Sequence, residues 1–463
     1  MNKQKGQQSG RINLRLREMN RTLTMLSAPS IVENCLYSLV FLSDTLIVGR
    51  LHNEKFLAAA GLSGILTFLV TAPFIALTMA ATSIVARSWG EMEHEIARKH
   101  AGCSMVIAFL MAIILFGLSA PFTSPILLFF GADPEVVPYG ATYLQILLIS
   151  CLTGLPMMVS NGMLRGTGDT FRPMVITGMM NVVNIVVSIM LAFGIWAPKL
   201  GFYGVAWGTV VARTVGIFFS LALLIGPRGL HLQWQHFWPI QKKVLGRIWY
   251  LAWPAYIERG MNSVYYMLFM VMVTNLGTTV LAAHQIAMQI ENVAIMPAWG
   301  LAVATTTITG QAIGAGRPRI AKIAVKKIIA AVSVLMVILC LVFLVFGPQI
   351  ARLFGATPEV VELAGMATRL SAIELPFLAI TFIFIGALRG VGDTRSPMYV
   401  AFVSMLVCRL GGVWLLAYHL NMGLAGVWLS TAMDWMVRAV GLGWFFRREA
   451  WTVLHQKEKE KFA

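Results

Sequence analysis

The sequence predicts an all-α polytopic membrane protein of twelve transmembrane helices, built as two copies of a six-helix unit. Three observations predict it. Of 463 residues, 58% are hydrophobic and only 12% charged, against about 25% charged in soluble domains. Mean hydropathy is +0.75, and long apolar runs without the alternation of a β-barrel fill most of the chain. Finally, the chain repeats itself: residues 164–174 read LRGTGDTFRPM and residues 388–398 read LRGVGDTRSPM, an offset of 224.

The offset recurs along both halves. FGADPEVV at 130–137 answers FGATPEVV at 354–361, and residues 57–59 answer 281–283. Pro29 and Glu33 answer Pro254 and Glu258 at an offset of 225. Since a span needs about 20 apolar residues, the predicted spans are 22–49, 57–86, 98–121, 136–163, 171–196, 201–226, 246–275, 281–312, 321–347, 360–387, 395–420 and 423–446. The expected division is a tail at 1–21, an N-lobe at 22–226, a linker at 227–244, a C-lobe at 245–447 and a tail at 448–463.

Lysine and arginine set the expected orientation. With the N-terminus inside, the inner segments hold 27 of the 36 basic residues and the outer segments five. Cytoplasmic loops attract these residues, so both termini are expected in the cytoplasm of a multi-pass protein of the cell inner (plasma) membrane. Six helices is an even number, which makes the lobes parallel repeats. The same placement disposes of nucleic acid as the reason for the +16 net charge, because the basic residues are scattered through short loops. Cys35, Cys103, Cys151, Cys340 and Cys408 all fall in apolar runs and form no CxxC, so free thiols are expected. The N-terminal stretch lacks the apolar core and cleavage site of a signal peptide.

The repeated loops have local reasons. Asp133-Pro134-Glu135 and Thr357-Pro358-Glu359 offer an N-cap, a proline at the helix start and an acid near the positive helix end. In LRGxGDT the glycines permit a tight turn, Asp169 and Asp393 can cap, and Arg165 and Arg389 mark the inner surface. A phosphate cradle fits less well, because no Lys-Ser/Thr follows the glycines.

On the twin halves, the LRGxGDT loops, the LAAHQ of 281–285 and the fifteen-residue spacing from Pro29 to Asp44-Thr45, the chain resembles the multidrug and toxic compound extrusion (MATE) transporters. The resemblance implies two six-helix lobes forming a V, and export of organic, often cationic, compounds in exchange for protons or sodium ions. It implies no other cofactor. It also implies a coupling role for the helix 1 aspartate, here Asp44, with a sodium ion near it as one possible occupant. A monomer is the family expectation.

Ionisable residues inside spans are expensive and need a partner or water. Glu33 and Asp44 share helix 1 and, eleven residues apart, lie on one face about 16 Å from each other. Tyr37 shares that face. Asn181, Asn184 and Ser188 form one stripe on helix 5 and are expected to line the N-lobe cavity opposite Asp44, or to bond neighbouring helices. Many relatives have Asn there and then Asn or Asp four later; here the pair is Asn184 and Ser188, and the absence of a second carboxylate argues against a dedicated sodium site in the N-lobe. At the sodium-coupled branch's C-lobe acid positions stand Asn262 and Leu378, with Glu258 and Glu374 one turn before each. The candidate coupling residues are therefore Asp44, Glu258, Glu374 and Glu33. Arg409 is the expected cationic partner of Glu258 or Glu374, and Asp434 with Arg438 is expected to pair locally at i, i+4. Glu291 has no evident partner. His52 and His284 read as structural, since neither has a second histidine close by.

The 27 Met, 26 Phe, 13 Trp and 10 Tyr suit a lipid-embedded bundle and an adaptable apolar pocket. Beside Tyr37, Tyr256, Tyr265, Met261 and Trp299 are weaker pocket candidates. A lipid-linked oligosaccharide flippase is the rival reading. It needs a strongly basic cavity, for which only Arg213, Arg259, Arg409 and Arg438 lie within spans. A membrane-embedded enzyme would need a cluster of His, Ser or carboxylate groups near the surface, and no such cluster stands out.

Overall fold

The structure is a computed structural model that describes residues 18–227, 229–448 and 460. The tails expected at 1–21 and 448–463 lie largely outside the described residues. The long helices follow the predicted spans: α1 (Met19–Gly49), α2 (Glu54–Gly90), α3 (His94–Ser119), α4 (Val137–Gly166), α5 (Phe171–Phe193) and α6 (Phe202–Ile225), then α7 (Lys242–Thr274), α8 (Thr278–Gly314), α9 (Pro318–Arg352), α10 (Pro358–Val391), α11 (Arg395–Ser404, continuing to His419) and α12 (Gly423–Arg447). Ten of these are long and apolar enough to cross a membrane by composition. The two others, α7 and α12, are diluted by Glu258 and Arg259 and by Asp434 and Arg438. At 33 and 25 residues they still exceed the roughly 20 residues of a span.

The chain divides into two compact units. One is Ala28–Trp249; the other holds residues 18–27 and 250–448. The division cuts α1 beside Pro29 and α7 shortly before Pro254. A proline inside a helix removes one backbone hydrogen bond and weakens the rod at that point. Pro73 in α2 and Pro297 in α8 form a second matched pair. In the second unit, Lys327 Nζ donates to Asn20 Oδ1 at 2.6 Å, tying the start of α1 to α9.

The LRGxGDT turns explain their own sequence. Gly168 and Gly392 have φ of +95° and +94°, which L side chains rarely adopt. Gly390 is needed for space, since a Cβ there would stand 2.4 Å from the Thr306 carbonyl oxygen on α8. The aspartates then cap the next helix. Asp169 Oδ1 accepts the Arg172 N–H at 3.1 Å, and Asp393 Oδ1 accepts the Ser396 N–H at 2.9 Å. In the other repeated loop, Asp133 accepts the Glu135 N–H at 3.0 Å, but α4 begins only at Val137, after a closed turn. Thr357 precedes Pro358 without a side-chain cap.

The linker is folded rather than extended. A short helix, Trp234–Phe237, lies on α3, where Arg98 Nε donates to the Leu230 carbonyl at 2.8 Å and His236 Nε2 meets Glu95 Oε2 at 3.0 Å. At the opposite end of the same unit, Phe202 stacks between Phe56 and Tyr143 at 4.6 and 4.4 Å. That cluster includes Ile47 and Val48, and it anchors the end of α1 that carries Asp44.

Candidate functional site

In the first unit, Asp44 is held by a relay of neutral polar groups. Thr209 on α6 donates its hydroxyl to Asp44 Oδ2 at 3.0 Å. Asn184 on α5 donates Nδ2 to Thr209 Oγ1 at 3.1 Å. Ser43 donates to Asn184 Oδ1 at 3.5 Å, which favours this amide orientation. Asp44 Oδ1 is sealed from solvent and has no hydrogen-bond partner. An ionised carboxylate can take about four hydrogen bonds, so its charge is poorly supported here and a neutral, protonated form loses little.

The helix 5 stripe divides by role. Asn184 joins the Asp44 relay. Asn181 bonds the Leu36 and Thr177 carbonyls at 3.0 and 2.9 Å, and Ser188 bonds the Val205 carbonyl at 3.3 Å. These two link α5 to α1 and α6. Thr209 was missed by the sequence reading, because a lone threonine on an apolar helix is ordinary. Its signal was position, one turn before the intramembrane Arg213.

Glu33 is bonded elsewhere. Arg165 Nη1 donates to its Oε1 at 2.6 Å, and both side chains are nearly sealed. Tyr37 lies beside this pair, accepting from Asn161 Nδ2 at 3.5 Å. The second unit repeats the arrangement: Arg389 Nη2 donates to Glu258 Oε2 at 2.7 Å, again buried. The arginines read as surface marks are thus buried partners of the repeated glutamates.

This corrects the expected pairing of Arg409. Glu258 belongs to Arg389, and Arg409 Nε lies 3.0 Å from Asp434 Oδ2. Asp434 holds two arginines, since Arg438 bonds both its oxygens at 2.8 and 3.0 Å and Ser404 adds a hydroxyl. The local Asp434–Arg438 pair is as expected. Arg409 sits where α11 widens into π-helical turns over Met405–Gly411 and Val413–His419, a winding that concentrates at functional sites.

Glu374 has a different neighbour. It is fully buried on α10, and neither carboxyl oxygen meets an N–H or O–H donor. The Glu291 carboxyl, buried on α8, lies within hydrogen-bonding reach, with Arg409 acting on both through space. Two carboxylates are both acceptors, so a bond between them requires a proton on one. Asn262, half-buried on α7, joins neither cluster. Trp299 lies under the Arg259 guanidinium, 5.4 Å from its carbon to the ring centre. Tyr265 is buried against Phe402, and Tyr256 is exposed. His284 packs between Phe269 and Trp428. Among the described residues no group of three or more His, Cys, Asp or Glu could hold a metal ion.

Two helical units with matching polar centres inside apolar helices define a membrane-embedded transporter built by duplication. The chain belongs to the MatE family, the multidrug and toxic compound extrusion transporters, whose model matches residues 29–190 and 254–415, one stretch in each half. It is 27% identical over 438 residues to a probable multidrug resistance protein NorM of Thermotoga maritima, covering 94% of this chain and 93% of that one. It is also 27% identical to a probable NorM of Pseudomonas putida, over 92% of this chain and 94% of that one. Among solved structures, a MATE in the bent conformation matches with a TM-score of 0.86 at 23% identity, over 96% and 97% of the two chains. A Pyrococcus furiosus MOP superfamily transporter, described as having a binding pocket of reverse polarity, matches at 0.85 and 24%, over 93% and 96%. These likenesses establish the twelve-helix fold.

Proposed function

We propose that this chain is a secondary antiporter, orientated with both termini in the cytoplasm of the inner (plasma) membrane. It exports small amphiphilic, largely cationic organic compounds by alternating access, in exchange for protons in preference to sodium ions. The observation that carries the reading is Asp44, a carboxylate inside a span with one hydroxyl donor and a bare, sealed oxygen. Desolvation makes its charge expensive. A proton or a cationic substrate relieves that cost, and the two compete for one group. Their different affinities for the two arrangements of the transporter supply the coupling.

The donor set supports protons. A sodium ion wants several oxygen ligands, whereas Asp44 is the single carboxylate of this cluster, and the Asn184 amide oxygen already accepts from Ser43. The Glu291–Glu374 pair is a second proton site in the other unit. Glu33 and Glu258, each already neutralised by an arginine, hold α1 on α4 and α7 on α10.

The test is transport by the purified protein in vesicles under separately imposed proton and sodium gradients. Asp44→Asn is expected in the membrane at normal levels but without ΔpH-driven efflux. Full efflux by that variant would remove Asp44 from the mechanism, and efflux driven by sodium alone would reverse the choice of ion.

A further inference from the structure

The folded linker encloses a cavity that the transport reading does not use. It measures about 390 Å3 and is lined by Lys99 and Cys103 on α3, by Trp238, Pro239 and Gln241 of the linker, and by Val244 at the start of α7. That volume is within the range of small-molecule sites. Lys99 and Cys103 stand one turn apart on one face of α3. The linker backbone presses on that face, since a Cβ on Gly102 would stand 2.2 Å from the His236 carbonyl oxygen. Gly102 lies about 12 Å along the axis from the start of α3 at His94. The linker therefore lies against the side of a membrane helix, not beyond its end.

The charges around the cavity are unevenly matched. His236 Nδ1 accepts the Gln233 N–H at 2.8 Å, so Nε2 carries the ring proton and donates to Glu95 Oε2 at 3.0 Å. Arg98 donates to Glu95 Oε1 and to the Leu230 carbonyl. The Glu95 carboxylate, which also borders the cavity, is thus balanced by the Arg98 guanidinium. Lys99 is not balanced. Its side chain borders the cavity, is exposed, and among the described residues forms no ion pair. Lys242, between the lining residues Gln241 and Val244, is exposed as well. The cavity therefore combines a spare positive charge with an apolar wall of Trp238, Pro239 and Val244. The same segment leaves its indoles uncovered, Trp234 by 83% and Trp238 by 64%. Indoles concentrate in the headgroup layer of a bilayer. Two open indoles on a segment packed along a membrane helix put that segment at headgroup depth.

We propose that this cavity binds the phosphate headgroup of an anionic phospholipid of the cytoplasmic leaflet, with Lys99 against the phosphate and the glycerol backbone on Trp238, Pro239 and Val244. The proposal goes beyond the antiport reading and takes from it only the cytoplasmic side of the linker. Basic pockets beside membrane helices on that side suit such headgroups. A soluble phosphate shares the anion chemistry but uses neither the apolar wall nor the open indoles. A lipid seated there joins α3, the linker and the first turn of α7 in one contact.

Native mass spectrometry of the full-length protein, released from detergent with either phosphatidylglycerol or phosphatidylcholine, tests this. Phosphatidylglycerol should be retained in preference. Lys99→Gln should lower its apparent affinity about fivefold, equivalent to about 1 kcal/mol, and leave phosphatidylcholine unchanged. Lys99→Arg keeps the charge and should keep the preference. Lys55→Gln removes a lysine beside Phe56, at the opposite end of the unit, and should change nothing. Lys99 is exposed, so neither substitution there removes a buried contact. Equal retention of the two lipids, or a loss in Lys99→Gln no greater than in Lys55→Gln, would overturn the proposal. Inorganic phosphate separates the two anion sources. The thermal unfolding midpoint should rise with phosphatidylglycerol and not with the same concentration of inorganic phosphate. An equal rise with phosphate would assign the cavity to a soluble anion and overturn the lipid. Binding is read without an ion gradient, so this proposal and the antiport reading fail independently.

Discussion

Glu33 on α1 and Arg165 on α4 meet at 2.6 Å, sealed from solvent, and the second half of the chain rebuilds the same contact from Glu258 and Arg389 at 2.7 Å. Both glutamates lie one turn past the proline that weakens their helix. Both arginines belong to the LRG turn. The duplication has therefore kept a bond that fixes the helix just beyond its soft point. Glu33→Gln should be strongly destabilising, by about 3–5 kcal/mol, because an unpaired buried arginine remains. Glu33→Gln combined with Arg165→Met should recover most of that loss. Thermal unfolding in detergent measures it. Additive losses in the double variant would show that the two side chains do not act as a pair.

The same cycle on Glu258 and Arg389 checks the symmetry. Arg389 has a further interaction besides that with Glu258, so Arg389→Met should cost more than Glu258→Gln does. Equal single-variant losses, with full recovery in the double variant, would show that those contacts add nothing.

The relay beneath Asp44 depends on one hydroxyl. Thr209→Val keeps the shape and removes the O–H that Asp44 Oδ2 accepts. Leaving a buried polar group without its donor costs about 1–3 kcal/mol. If that cost falls on the charged, cargo-accepting state of Asp44, efflux slows about 5- to 150-fold. Thr209→Ser restores the hydroxyl and should restore transport. Loss of efflux in both variants would point to packing against α5 rather than to the hydroxyl.

Some of this was legible in the sequence. The offset of 224 gave the two units, the apolar runs gave the helices, and the glycines and aspartates of the LRG turns gave their own geometry. Partners were not legible. Arg165 lies 132 residues from Glu33, and basic residues near loop ends read first as orientation marks, which hid a buried pair. Arg409 was matched to the nearest unexplained acids, because nothing in a one-dimensional pattern shows that Asp434 can serve two arginines. Glu291 looked solitary because its partner Glu374 stands on another helix, 83 positions away.

The Glu291–Glu374 contact predicts a proton count. Two carboxyls bonded to each other hold one proton between them. Glu374→Gln supplies a permanent N–H donor to Glu291 and so keeps the bond without a titratable proton. The variant should fold at least as well as the unmodified protein. Proton release on substrate binding, followed with a pH indicator in weakly buffered solution, should fall. Unchanged release would place proton exchange wholly at Asp44.

Asp434 is the sharpest test of charge in the second unit, because the direction of the effect depends on which partner is removed. With Asp434 in place, one carboxylate lies between Arg409 and Arg438. Arg409→Met leaves Asp434 with Arg438, a neutral pair bonded at both oxygens, and should cost little stability. Asp434→Asn instead leaves two guanidinium groups facing each other without an anion. Uncompensated charge in a low-dielectric interior is the most expensive defect a single substitution makes there. Asp434→Asn should therefore lower the thermal unfolding midpoint far more than Arg409→Met. Adding Arg409→Met to Asp434→Asn should raise it again, because one positive charge is gone. If the second substitution lowers the midpoint further, repulsion between the arginines is not what the aspartate suppresses, and its hydrogen bonds to Ser404 and Arg438 would be its main contribution.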